Sequence, residues 1–348
     1  MKTNWMIYGA NGYTGKLIAA EAVRRGLSPI VAGRNFAAIE AIGQELKLPT
    51  RIFPCDNPKE LTKGLEGVAL VLHCAGPFSK TAGPMLTACL SSKTHYLDIT
   101  GEIAVFESIF RRASECRAAG IVAIPGVGFD VVPSDCLAAM LKKKMPDATS
   151  LSLAMKQSGP VSPGTLKTVI EGLDHGGMIR REGRLEAVSS VHHVRKIRFL
   201  DRMETSVTIP WGDVATAYYS TGIPNIEFFT AIHPGALQFL RMKRFLHPLL
   251  SRSLVKRGLQ AFVEARVKGP TVAERETLRT HLWGETVNAT GKSVELRLDC
   301  PESYQLTVDS ALSATERVLA GGVMAGVTTP SLAFGAEFVL SLNDVRLF

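Results

Sequence analysis

Seven residues near the amino terminus, Gly9-Ala10-Asn11-Gly12-Tyr13-Thr14-Gly15, have the composition and spacing to hold a diphosphate. Gly9 permits a tight exit from a strand, Gly12 lacks the β-carbon that would keep an anion off the backbone, and Gly15 lets a helix lie close to that strand. The free N–H groups at the start of the helix would face the phosphates. A glycine triplet alone is a weak signal, but this one follows the apolar run from Trp5 and precedes an amphipathic stretch, Lys16 to Arg25. Strand, glycine turn and helix are the context in which the pattern means dinucleotide binding.

The second strand ends in Ala32-Gly33-Arg34-Asn35. Sites specific for NAD place an acid here to bind the ribose 2′-hydroxyl, whereas a guanidinium suits a 2′-phosphate. Arg34 and Asn35 therefore favour NADP over NAD; the plainer alternative is an Arg34 that stacks on adenine in an NAD enzyme. Asp56, after the third strand, either contacts the adenine edge or only forms a turn. Ala75-Gly76-Pro77 end a fourth, continuously apolar strand and let backbone approach a ligand.

Proton transfer needs a side chain near the strand ends on the cofactor side. Tyr96, Asp98, Glu102 and Asp130 qualify by position. Each also has a structural reading: Asp98 can bind turn amides, Glu102 can cap a helix starting at Ala104, and Asp130 can tie the loop near Pro133. Lys80 either reaches a phosphate or substrate carboxylate or, as the plainer expectation, is solvated. No metal is expected, because His192-His193 is a vicinal pair without helical spacing and the six cysteines are scattered without a C-x-x-C. The thiols are expected to be buried in a reducing compartment.

The elements that position these residues alternate strand and helix through residue 130, with strands at Trp5–Tyr8, Pro29–Gly33, Arg51–Asp56, Val68–Pro77, His95–Ile99 and Ile121–Pro125 and helices at 16–25, 36–48 and 83–93. That order predicts an α/β doubly wound parallel sheet. Thereafter strands at 149–156, 195–200, 205–209, 214–220 and 226–232, a helix at 163–172, and a hairpin over 280–300 predict an α+β mixed sheet. A helix over 304–319 ends at Gly321-Gly322.

The motifs G-A-N-G-Y-T-G, A-G-R-N, C-A-G-P-F, H-Y-L-D-I-T-G-E and G-F-D-V-V-P-S-D, in this order, resemble the saccharopine dehydrogenase-like oxidoreductases, including bacterial trans-acting enoyl reductase-like proteins. The similarity continues through His281-Leu282-Trp283-Gly284-Glu285 to Thr329-Pro330-Ser331. It implies a nucleotide-binding Rossmann domain over 1–130, with 321–348 packing back on it, and a substrate or dimerisation domain over 131–320. It also implies hydride transfer in a cleft between domains and a homodimer. The substrate expected is an acyl or enoyl group of lipid or polyketide type. A saccharopine-type amino-acid dehydrogenase, a non-catalytic NADP(H)-binding regulator and a membrane-surface or partner-binding protein on a Rossmann scaffold are the alternatives.

The formal net charge of +8 concentrates in 180–202 and 241–268. Within 234–267 leucines and phenylalanines recur at helical spacing between basic residues. Such a segment either packs its apolar stripe on the second domain or contacts a membrane surface or acidic carrier protein. Nucleic acid is not an expected partner, because these basic stretches lack interleaved stacking aromatics. Neither a leader peptide nor a membrane span is expected, which points to the cytoplasm.

Overall fold

The structure, a computed structural model, describes residues 4–157, 176–200, 202–233, 235, 237, 262 and 271–348. The helix expected at 163–172 and almost all of the basic segment 234–267 lie outside the described residues.

The first stretch alternates β1 (Trp5–Tyr8), α1 (Tyr13–Arg24), β2 (Ile30–Gly33), α2 (Phe36–Leu46), β3 (Thr50–Ile52), α3 (Pro58–Gly64), β4 (Leu70–His73), α4 (Phe78–Ser92) and β5 (His95–Asp98). Helices α5 (Ile103–Phe110) and α6 (Ala113–Ala119), strand β6 (Val122–Ile124) and α7 (Val132–Lys144) follow. The central strands are buried on both faces, which explains their continuous apolar character. Asn35 and Asn57 cap α2 and α3 through their side chains, and Pro58 takes the first helical position of α3, where its missing N–H costs nothing.

The next stretch carries β7 (Ala148–Gln157), β8 (Gly177–Arg181), β9 (Arg184–Val188), β10 (Val194–Arg198), β11 (Met203–Thr208), α8 (Asp213–Thr221), β12 (Asn225–Ala231), α9 (Val272–Thr277), β13 (Arg279–Asn288) and β14 (Ser293–Pro301). The strand expected at 214–220 is instead α8. Its β-branched and aromatic residues favour a strand locally, but Asp213 stands in the first turn and Gly222 closes the helix in the left-handed region at φ 67°. Val214, Ala215 and Ala217 are buried by it. The hairpin β8–β9 turns at Glu182-Gly183, both with positive φ. It lies in the first basic stretch, where charge hid the alternation.

The chain ends with α10 (Ser303–Ala320), β15 (Gly326–Val327), α11 (Pro330–Phe334), a 3-10 turn (Phe338–Ser341) and β16 (Arg346–Leu347). Two sheets result. The first is a seven-stranded parallel sheet of Rossmann type, ordered β15-β6-β5-β4-β1-β2-β3, and the second a mixed sheet with the path β10-β11-β12-β7-β13-β14-β16. In the second sheet β12 and β7 run parallel and the other pairs antiparallel, β8 adding to β12.

Two compact units contain these sheets: Met1–Cys136 with Tyr304–Asn343, and Leu137–Ser303 with Asp344–Phe348. The division differs from 130/131 and 320/321, since nearly all of α10 falls with the first unit. Arg25, just after α1, explains this physically: its guanidinium donates to Asp309 of α10 at 2.7 Å, and Asp309 also accepts from the Asn343 amide at 2.7 Å.

Candidate functional site

The order of the first sheet reverses between β1 and β4, which is where open α/β sheets bind ligands at their carboxyl ends. The three glycines after β1 have different duties. Gly9 has φ 86°, and a β-carbon there would lie 2.7 Å from the Ala75 amide nitrogen. A β-carbon on Gly15 would collide with the Gly9 carbonyl and come within 2.9 Å of Ala10 Cα. Both are required by the fold.

Gly12 is required by neither conformation nor packing: φ is −72°, ψ is 165°, and a β-carbon would sit 3.3 Å from the Gly9 carbonyl. It is exposed, occupies the N-cap of α1, and supplies no side-chain cap. No acid stands in the first turn, Tyr13-Thr14-Gly15. The amides at this helix start are thus presented beside a glycine with no side chain over them, the arrangement an anion requires.

Helix α4 makes the contrast. Its N-cap is Pro77, after exposed Gly76, and its first amides are already occupied: Phe78 N and Ser79 N donate to the Glu102 carboxylate at 2.8 and 2.9 Å. Glu102 is therefore a capping residue, but of α4. It occupies the N-cap position of α5 without a side-chain bond to that helix. Ala75 accepts from the Thr81 hydroxyl at 2.7 Å, which folds the Ala75-Gly76-Pro77 loop onto α4.

At the end of β2, Arg34 is exposed and joins no ion pair among the described residues. Asn35 uses its side-chain oxygen to cap α2 through Ala38 N at 3.1 Å. Asn11 lies against Gly33, its Oδ1 3.1 Å from where a Gly33 β-carbon would stand. Asp56 is exposed beyond β3. Burial and Cys55 push the Tyr8 phenol well up, and smaller influences of Arg34 and Asp56 in opposite directions place both charges around the same ring. Tyr8 itself donates to the Phe53 carbonyl at 2.9 Å. Ala10, Asn11, Arg34 and Asp56 thus gather at the ends of β1 to β3.

Of the four acid–base candidates, two are bonded to each other. Tyr96 is fully buried and donates to Asp98 Oδ2 at 2.5 Å. Asp98, also fully buried, accepts from Thr100 N at 3.0 Å and Gly126 N at 2.8 Å through Oδ1. Burial pushes Asp98 up to about 6, against the opposing effect of these bonds. The pair is inward-facing and ties the ends of β5 and β6 together. Asp98 takes its turn-binding role.

Asp130 differs. Its carboxylate is partly buried, forms no hydrogen bond or ion pair among the described residues, and rests against Gly101, where a β-carbon would collide with Oδ2. Burial pushes it up to about 6. It is a carboxyl group whose acidity is shifted towards neutral pH and which has no structural partner among the described residues.

His73 went unrecognised in the sequence because it ends an apolar strand. It is fully buried, and Nε2 lies 2.9 Å from the Thr81 hydroxyl. Since that hydroxyl donates to Ala75, it accepts from His73, which fixes the proton on Nε2 and leaves Nδ1 bare and without a partner. Burial pushes the imidazole down to about 3, so it stays neutral. It is a positioning residue for the loop after β4. No local pattern marks such a role.

Residues 5–124 match the family model described as saccharopine dehydrogenase NADP binding domain. Over 193 residues the chain is 30% identical to a protein named saccharopine dehydrogenase-like oxidoreductase from Bos taurus, covering 48% of this chain and 45% of that one. A Mycobacterium tuberculosis protein named for trans-acting enoyl reduction is 29% identical over 138 residues, covering 37% and 33%. The chain spans about half the length, or less, of these curated relatives. Saccharopine dehydrogenase (L-Glu forming) from Saccharomyces cerevisiae aligns over 99% of both chains with a TM-score of 0.67 at 12% identity, a likeness of fold.

Proposed function

On the match of residues 5–124 to the saccharopine dehydrogenase NADP binding domain, we propose that the chain is an NADP(H)-dependent reductase of an acyl or enoyl substrate. The observation that carries the cofactor reading is the uncapped start of α1 beside Gly12, while the start of α4 is closed by Glu102. Gly9 to Gly15 would hold the diphosphate and Arg34 the 2′-phosphate, with Asn11, Asn35 and Asp56 around the adenosine and Ala75 to Pro77 beside the nicotinamide.

The bound nicotinamide supplies hydride, which the protein must orient and complement with a proton. Asp130 is the group that supplies it: with its acidity near 6, roughly one carboxyl in ten is protonated at pH 7. In reduction of a polarised C=C the cofactor would supply the hydride to one carbon, Asp130 would give its proton to the other, and solvent would restore the acid. Tyr96, Asp98, Glu102 and His73 hold the surrounding loops.

The likeness to the mycobacterial relative favours an enoyl acceptor. The test is NADPH oxidation with enoyl thioesters, followed by absorbance, in the natural protein and Arg34→Asp. The expected result is turnover with NADPH, and in the variant an NADPH affinity at least about tenfold weaker with NADH binding retained or improved. Tight NADPH binding without oxidation by any enoyl thioester would overturn the reductase reading, and unchanged NADPH affinity in Arg34→Asp would overturn the role of Arg34.

A further inference from the structure

Far along the chain from the glycine loop, the vicinal pair His192-His193 meets Glu227 of β12. Their ligand atoms all lie within 4.8 Å of one another. His193 Nδ1 is 2.8 Å from Glu227 Oε1, and His192 Nε2 is 3.9 Å from the same oxygen. The two rings lie side by side with centroids 4.1 Å apart. Sequence spacing gave no hint of this, because the third member comes from a strand 34 positions away.

Backbone bonds hold the arrangement on both sides. His193 N donates to the Thr208 hydroxyl at 3.1 Å, and Thr208 N donates to the His193 carbonyl at 3.1 Å. Thr208 pairs with Phe229 in the neighbouring strand, which carries Glu227 on the same face two residues earlier. The imidazoles, just ahead of β10 and tied to the end of β11, and the carboxylate of β12 are therefore brought to one point.

A hydrogen bond explains His193 and Glu227, but it leaves His192 unexplained. His192 Nε2 is a buried polar atom without a hydrogen-bond partner, turned towards Glu227. Such an atom calls for a water or an ion. We propose that His192, His193 and Glu227 form a binding site for a zinc-class divalent cation. Two imidazoles and one carboxylate suit Zn²⁺ and its first-row neighbours over Mg²⁺ or Ca²⁺. Ligand atoms on a tetrahedral zinc with bonds of about 2.0–2.1 Å stand roughly 3.3 Å apart. The 2.8 Å distance must open and the 3.9 Å one close by about half an ångström each, and the two imidazole nitrogens, within 4.8 Å of each other, must draw together by up to about 1.5 Å, movements for which rotation of the Glu227 carboxylate and the rings is the available freedom. Three protein ligands leave a fourth position for water or a small anion.

The test is calorimetric titration of the chelator-treated full chain with Zn²⁺ and, separately, Mg²⁺, joined to visible spectroscopy with Co²⁺ as a probe. The expected result is one saturable Zn²⁺ site, no comparable Mg²⁺ binding, and tetrahedral Co²⁺ bands without thiolate charge transfer. Glu227→Gln and His192→Ala each weaken Zn²⁺ binding at least about tenfold while NADPH binding and the metal-free melting temperature hold. If one variant fails to fold, the other carries the comparison. Absence of a saturable site, equal binding by a folded variant, or a thiolate spectrum from the cysteines would each overturn the proposal.

Discussion

Asp98 and Asp130 are both raised to about 6 by burial, and only one of them has its oxygens occupied. For Asp130 the consequence for stability has a definite sign. Between its ordinary value of 3.8 and about 6 the folded protein keeps a proton that the unfolded chain has lost. Its contribution is fully present below 3.8 and disappears as pH rises through about 6, so at neutral pH the ionised carboxylate opposes folding. Asp130→Asn is therefore expected to stabilise the protein near neutral pH, on the order of 1–3 kcal/mol. The gain should vanish near pH 4, and turnover should fall at least about 100-fold. Thermal melts and steady-state rates across pH check this. A stabilised variant with undiminished turnover would remove Asp130 from the chemistry.

At the scale of elements, the start of α4 is fixed by a carboxylate contributed from the next loop. Glu102→Ala leaves the Phe78 and Ser79 amides without that acceptor and removes a negative charge from a helix amino terminus. The expected cost is about 1–2 kcal/mol, read as a fall in melting temperature of roughly 2–6 °C. Glu102→Gln, which keeps one oxygen, should recover part of it; a melting temperature unchanged in both variants would contradict the capping role. The strand–helix alternation of the first sheet was legible because buried parallel strands read as short apolar runs between turn residues. So was the Gly9–Gly15 turn, whose glycines the structure needs at two of three positions. Helix α8 was not legible, since Val214 to Tyr219 has strand-like residues and its identity rests on Asp213, Gly222 and tertiary burial. Glu102 was readable as a cap, but the helix it caps follows from the loop geometry. The contacts of Tyr96 and Asp98 depend on register between β5 and its neighbours, which no local pattern encodes.

For the whole molecule, the first unit is closed by a segment from the far end of the sequence. Asp309 joins Arg25, after α1, to Asn343, beyond the last helical turn, and Tyr13 meets Tyr304 edge-on at 5.0 Å. Asp309→Ala is expected to destabilise this unit by about 1–2 kcal/mol, because the Asn343 amide loses its acceptor and the Arg25 guanidinium, which keeps Glu21 at 2.8 Å, loses one of its two. Hydrogen exchange should quicken at the end of α1 and around residue 343 in parallel; protection unchanged at both places would contradict the closure. Among the described residues no helix is long and apolar enough to cross a membrane.

The claim beneath the proposed function is that a diphosphate rests on the amides at the start of α1, over a glycine the fold itself does not need. Calorimetric titration of NADPH into Gly12→Ala tests it most directly, because the added methyl fits the backbone conformation and meets only the Gly9 carbonyl, at 3.3 Å. The expected result is NADPH affinity weakened at least about tenfold, with the melting temperature of the free protein nearly unchanged. Affinity equal to that of the natural protein would contradict it.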